Sequence, residues 1–238
     1  MDQSANLLVQ MMDDEDRARL APHVIRVEQE RGQSLVWAGR PIEHMFFPEG
    51  GIVSVVATND KGAKTEVGIF GREGMSGVPV LMGSDSTPME VFTQVAEGTA
   101  LRVPTEHVRE AFAASVSLRS LLLRFCHSFM VQVSFSAMAN AHHTLESRLA
   151  RWLLMCHDRM GTHEIGLTHE FMAVMIAAQR SGVTLTLHML EGEGLIRSKR
   201  GSVTILDRPG LKRLAGESYG KAEEEYDRLI APMPRSRD

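Results

Sequence analysis

The side chains with most to offer chemically stand in two clusters in the C-terminal half. One is Arg180, Ser181, Thr184 and His188, hydrogen-bonding groups at helical spacing. The other is Lys199-Arg200, two cations beside Gly201. An arginine at the start of a helix can present paired donors to guanine O6 and N7, and hydroxyls and imidazoles suit other base edges. Adjacent cations on a turn suit phosphate oxygens, which position a protein on a duplex without reading its sequence. This is recognition chemistry rather than bond-breaking chemistry. Serines, histidines and carboxylates occur throughout, but no nucleophile elbow or phosphate-binding loop frames them. No catalytic residue is assigned, no cofactor is called for, and an enzyme is not expected.

The elements that must position these groups can be read from spacing. Thr168 suits a helix N-cap, and Glu170 favours the positive end of the helix that follows. Phe171, Met172, Met175 and Ile176 supply its buried face. Ala177–Gln179 is small enough to turn tightly, and a second helix starts near Arg180. Val183, Leu187 and Leu190 recur at i, i+4, i+7 and point inward, which leaves Arg180, Ser181, Thr184 and His188 outside. Ile196 and Val203–Leu206 are strand-like, with Lys199–Ser202 as the turn between them. The pattern is a helix-turn-helix followed by a basic-tipped hairpin, a wing.

Upstream, Ser117 to Ala141 runs without Gly or Pro. Leu118, Leu122, Phe125 and Phe129 mark one apolar stripe of a long helix. Leu121, Val131, Val133, Phe135 and Met138 widen it beyond one face, so the helix needs cover on two sides. One side can meet the preceding domain and the other a second copy of the chain. Leu145, Leu149, Trp152 and Cys156 resume helical spacing after a break near Asn140–Thr144, and Gly161 ends that helix. Residues 22 to 104 read as β. Short apolar runs at Ser34–Trp37, Ile52–Ala57, Glu66–Phe70 and Val91–Val95 alternate with Gly, Pro, Asn and Asp, as in a sandwich or barrel.

Composition agrees with this division. The net charge is −4, but residues 148–213 carry 10 Lys/Arg against 6 Asp/Glu. The basic excess falls on the segment expected to meet phosphate. The two cysteines, Cys126 and Cys156, sit in apolar helical sequence as expected of buried thiols. The acidic N-terminus has no secretory pattern and no run suggests a membrane span, so a cytoplasmic location is expected. Histidines cluster at His142-His143, His157, His163 and His169, without the spacing that sets two metal ligands on one helix face. The glutamate-rich tail, Glu217–Ile230, is expected to form a packing helix, with disorder from Pro232 to Asp238.

Over nearly its whole length the chain resembles the Crp/Fnr family of bacterial transcription regulators. In the C-terminal part the likeness rests on Leu167-Thr168, Met172-Ala173, Arg180, Val183, Met189–Glu191, Gly194–Ile196 and Ile205–Asp207. In the N-terminal part it rests on Glu30–Gln33, Trp37–Gly39, Phe47–Gly51 and Gly71–Met75. The resemblance implies an α+β chain: an antiparallel β-roll or jelly-roll sensor over 1–116, a long dimerisation helix over 117–141, and a winged helix-turn-helix with a C-terminal helix over 142–238. It further implies a homodimer on a palindromic double-stranded operator, contact with RNA polymerase and control by a small-molecule effector in the roll. Arg180 falls on the family's base-reading arginine, while Thr168, His169, Lys199 and Arg200 resemble phosphate-holding positions. Ser181 replaces a frequent Glu and Leu185 a frequent Arg, so the half-site is expected to be its own. Cyclic-nucleotide-binding members carry a Gly-Glu pair and, about ten residues later, Arg-Ser. Here these positions read Gly77-Val78 and Pro88-Met89. A buried phosphate without its arginine is costly, so cyclic AMP is not the expected effector, although the four residues mark the expected pocket. Iron–sulfur sensing needs four cysteines and is excluded. The competing reading is a ligand-binding module whose winged helix docks on a protein.

Overall fold

The computed structural model describes residues 1, 3–233 and 235. Two short helices, α1 (Leu7–Gln10) and α2 (Asp14–Leu20), come first. Neither was expected. Asn6 explains α1: its Oδ1 accepts from Val9 N, and its Nδ2 donates to the carbonyls of Pro48 and Gly74. One buried amide thus caps the helix and pins it to the β-domain.

Seven strands follow: β1 (Ile25–Glu28), β2 (Ser34–Val36), β3 (His44–Pro48), β4 (Ile52–Thr58), β5 (Lys64–Phe70), β6 (Glu90–Val95) and β7 (Thr99–Pro104). A one-turn helix, α3 (Val78–Leu81), lies between β5 and β6. The strands form two antiparallel sheets, ordered β1-β7-β3 and β2-β6-β4-β5. Gly51 starts the second sheet with φ +69, and a Cβ there would collide with the Val95 carbonyl, so only glycine makes this corner. The β4 pairing skips Val67 and Gln94 in its two neighbours. Such bulges re-aim side chains; here Val67 turns into the roll.

Helix α4 (Thr105–Ala114) leads to α5 (Val116–His142), a 27-residue helix opened by Ser115, whose hydroxyl accepts from Leu118 N. Leu118, Leu121, Leu122, Phe125 and Cys126 bury into the roll's core. By length and composition α5 could cross a membrane, which corrects the expectation that no run suggests this. Its inner side is occupied by the roll instead. On the outer side Val116, Leu123 and Met130, seven residues apart, are exposed, with Ser120, His127, Ser134 and Ala137 between and beyond them.

Helix α6 (Leu145–Met160) begins at Thr144, whose hydroxyl accepts from Ser147 N, and ends at Gly161 with φ +67. Then come β8 (Glu164–Ile165), α7 (His169–Met175), α8 (Arg180–Gly192), β9 (Ile196–Lys199), β10 (Ser202–Ile205), α9 (Arg208–Ala215) and α10 (Lys221–Leu229). The hairpin forms with Ser202 opposite Lys199, and β8 adds a third strand, in the order β8-β10-β9. A second core joins α6, α7, α8 and this small sheet, and Ile52, Val56, Ile69 and Val95 of the roll enter it too.

The tail does not stay with the helix-turn-helix. Tyr226, Ile230 and Met233 belong to the roll's core, and Tyr226 Oη donates to the Glu73 carbonyl at 2.7 Å. Arg235 pairs with Asp227 at 2.8 Å. The expected disorder from Pro232 therefore does not hold at Met233 and Arg235, because an apolar side chain has a core to enter and the cation has a partner. Pro234 and residues 236–238 lie outside the described residues.

Candidate nucleic-acid interface and sensor cavity

Arg180 is the first residue of α8 and is exposed. Gln179, before it, gives the helix no side-chain cap, so the first-turn N–H groups remain open to an outside acceptor such as phosphate. Ser181 and His188 are also exposed, and Thr184 is half-buried. Val183, Leu187 and Leu190 are buried below them. Leu185 and Met189 lie among the outward groups, 64% and 43% exposed. The turn before α8 contains Ala177 at φ +49, a left-handed conformation that L-residues other than glycine adopt at a cost. Arg148 holds this turn, donating to the carbonyls of Ile176 and Ala177 and to Asn140 Oδ1. One side chain so connects the end of α5, the start of α6 and the helix-turn-helix.

Thr168 caps α7, accepting from Phe171 N at 3.2 Å. His169, expected to hold phosphate, is half-buried and also faces protein. Its Nδ1 is 3.1 Å from Thr184 Oγ1 and its Nε2 is 3.5 Å from Ser198 Oγ. Thr184 Oγ1 donates to the Arg180 carbonyl, so its proton is committed and His169 Nδ1–H is the donor in their contact. With both ring nitrogens facing protein, His169 ties α7 to the recognition helix and the wing. The wing is further fixed by Ser198 N donating to Glu191 Oε1 at 3.0 Å. Lys199 and Arg200 project from its tip, exposed.

The sensor side contains a cavity of about 510 Å³ between the roll, α3 and α5. Gly77, Val78 and Met89 line it. Pro88 does not: it is exposed on the loop before β6 and outside the lining. Val55, Val67 and Val91 form the sheet wall, and Phe129, Met130 and Val133 the helix wall.

Behind that sheet lies a buried polar contact with the reader that the sequence reading missed. Glu66 Oε1 accepts from Trp152 Nε1 at 2.7 Å, and its Oε2 is 2.7 Å from Ser54 Oγ, which also meets Gln94 Oε1. Burial pushes the Glu66 carboxyl up to about 8. A protonated Glu66 donates to Ser54, which leaves the Ser54 proton for Gln94 Oε1, while Gln94 Nε2 has no hydrogen-bond partner among the described residues. Nearby, Glu73 and Arg159 form a buried ion pair at 2.8 Å, and Arg159 also donates to the Ile69 carbonyl. A glutamate in the turn after β5 and an arginine in a helix carry no local signal of pairing across the chain. Cys126 and Cys156 are buried, and burial raises both thiols, Cys126 to about 11. His157 and His163 approach to 3.1 Å between ring nitrogens, with Arg208 against His157. No group of three or more His, Cys, Asp or Glu is placed to hold a metal among the described residues.

Two family models match the chain. Residues 26–115 match the cyclic nucleotide-binding domain, and residues 147–214 match the Crp-like helix-turn-helix domain. The global nitrogen regulator of Nostoc sp. is 25% identical over 185 residues, covering 74% of this chain and 82% of that protein. A Crp/Fnr-family regulator from Eubacterium rectale superposes with a TM-score of 0.68 at 20% identity, covering 87% of this chain and 97% of that one. CLP of Xanthomonas campestris, a c-di-GMP-responsive global regulator, superposes with a TM-score of 0.65 at 17% identity, covering 81% of this chain and 99% of that one. With a sensor-type roll, a long helix and a winged helix-turn-helix in the matching order, this chain belongs to the Crp/Fnr family of transcriptional regulators.

Proposed function

We propose that this regulator works as a homodimer on a palindromic operator, with residues 1–116 as sensor, 117–141 as dimer helix and 142–238 as reader together with the tail that returns to the roll. The observation that carries the reader is exposed Arg180 at the open N-terminus of α8, beside a wing tipped by Lys199 and Arg200. Arg180 reads a guanine, and Ser181, Thr184 and His188 face neighbouring base edges. Leu185 and Met189 supply apolar contacts of the kind that thymine methyls accept. Thr168 and His169 hold the frame of the recognition helix against the backbone, and Lys199 and Arg200 meet phosphate.

The seam of Val116, Leu123 and Met130 at heptad spacing supports the dimer, since such a stripe needs a partner helix. Two recognition helices then meet successive major grooves about 34 Å apart. Met130 and Val133 of α5 also line the cavity, so an effector there touches the helix that bears the seam. The hinge near Asn140–Thr144 passes that change to the reader. Contact with RNA polymerase and residence in the cytoplasm follow from this role, which asks no catalysis of the chain.

Binding to genomic fragments, followed by anisotropy titration on the selected operator, tests the reading. Arg180→Ala should lose about 1–3 kcal/mol of operator affinity and relax one base position. Lys199→Ala should weaken all sequences alike and lower the salt slope by about one. Unchanged operator affinity in Arg180→Ala removes the base-reading role.

A further inference from the structure

The cavity beneath the roll has a chemistry of its own. Its wall contains no Arg, Lys, His, Asp or Glu. The polar side chains along it are four neutral hydroxyls, and two of them have their protons committed. Ser84 Oγ donates to the Ser86 carbonyl, and Ser134 Oγ to the Met130 carbonyl. Ser76 Oγ accepts from Phe46 N, and Thr87 Oγ1 accepts from Met89 N. An anionic ligand would lose its water here and gain no counter-charge, which is prohibitive for an isolated ion. An uncharged apolar ligand loses little. Met75, Met82, Met89 and Met130 also face this space. Their unbranched, polarisable side chains adapt to varied shapes and make favourable contacts with rings.

We propose that the effector of this regulator is an uncharged, mostly hydrocarbon small molecule held between Val55, Val91, Met89 and Val133. The proposal rests on the reading of the roll as the sensor. The volume, about 510 Å³, falls within the range of small-molecule sites. Exposed Met82, away from the α5 seam, forms an apolar lip at which such a molecule enters.

The test titrates the full chain with N-phenyl-1-naphthylamine, an uncharged fluorophore, and with 8-anilinonaphthalene-1-sulfonate, which adds a negative charge to a similar ring framework. The neutral probe should saturate at one per chain and bind at least about tenfold more tightly than the sulfonate, and cyclic AMP should not displace it. Val133→Phe, which fills the cavity without charge, should weaken the neutral probe about tenfold. Met89→Arg should weaken the neutral probe and strengthen the sulfonate. Thermal unfolding of each variant verifies that it is folded. Equal or tighter binding of the sulfonate or of cyclic AMP to the unmodified chain overturns the proposal. So does neutral-probe binding that both folded variants leave unchanged. Operator binding is measured on the same samples. A protein that holds the neutral probe but binds no DNA supports the ligand class and refutes only the reader; one that binds operator but no neutral probe refutes the ligand class alone.

Discussion

Val55 and Val91 point from the four-stranded sheet into the cavity, while Ser54 and Phe92, their chain neighbours, point at the reader. Phe92 meets Phe171 of α7 edge-on, with ring centroids 6.2 Å apart, and Ser54 joins Glu66 and Trp152. A strand sends successive side chains to opposite faces, so ligand wall and reader contact are separated by one thickness of backbone. The two faces differ in kind. The cavity face is apolar and underfilled, and it tolerates guests of varied shape. The reader face carries buried polar groups, each needing a particular partner, and so fixes the reader in one position. Adaptability sits where the signal enters, and geometric specificity where it is passed on.

Five substitutions bear on this contrast, the last of them a control on neither face. Glu73→Ala should have the largest effect, since it takes from buried Arg159 its contacting ion-pair partner, at about 3–5 kcal/mol. Urea unfolding measures it, and a loss under about 1 kcal/mol would mean that charge does not hold the reader face.

Next is the pH response of Glu66. Its folded pKa of about 8 lies above the ordinary carboxylate value. The stability gained by keeping it protonated is complete below the unfolded pKa and lost as pH rises through the folded one. The native chain should lose about 2 kcal/mol between roughly pH 6 and pH 8. Glu66→Gln, always neutral and still able to accept from Trp152, should flatten that slope. An identical slope in both proteins would place the titrating group elsewhere.

On the cavity face Val55→Ala should cost only about 1–2 kcal/mol, the transfer of its methyl groups, because the wall already borders empty space. Leu149→Ala in the closely packed second core should cost about 2–5 kcal/mol. Equal losses would show the cavity to be collapsed in solution. The smallest effect belongs to a site on neither face. Ala177→Gly relieves a left-handed φ and should stabilise by up to about 1 kcal/mol, with operator affinity unchanged.

Much of the reader was legible along the chain. Thr168, Gly161 and the spacing of Val183, Leu187 and Leu190 act within a few residues, where capping and helical period operate. The central strands were visible as apolar runs for the same reason. The N-terminal helices were not, because α1 depends on Asn6 reaching the carbonyls of Pro48 and Gly74. Helix α9 was also passed over, since Arg208-Pro209-Gly210 opens it with two residues that usually signal a turn; Asp207 rescues it by capping Gly210 N. The contacts of His169 within the protein carried no local signal, because its partners, Thr184 and Ser198, are distant in sequence.

By itself the sequence determined the order of units and the outward set around Arg180. These are local facts of residue type and period. Only the tertiary structure decided that the cavity beside α5 is lined without charged side chains, that Glu66 is buried against Trp152, and that the tail returns to the roll's core. Each of those depends on which surfaces lose water together, and long-range contacts set that.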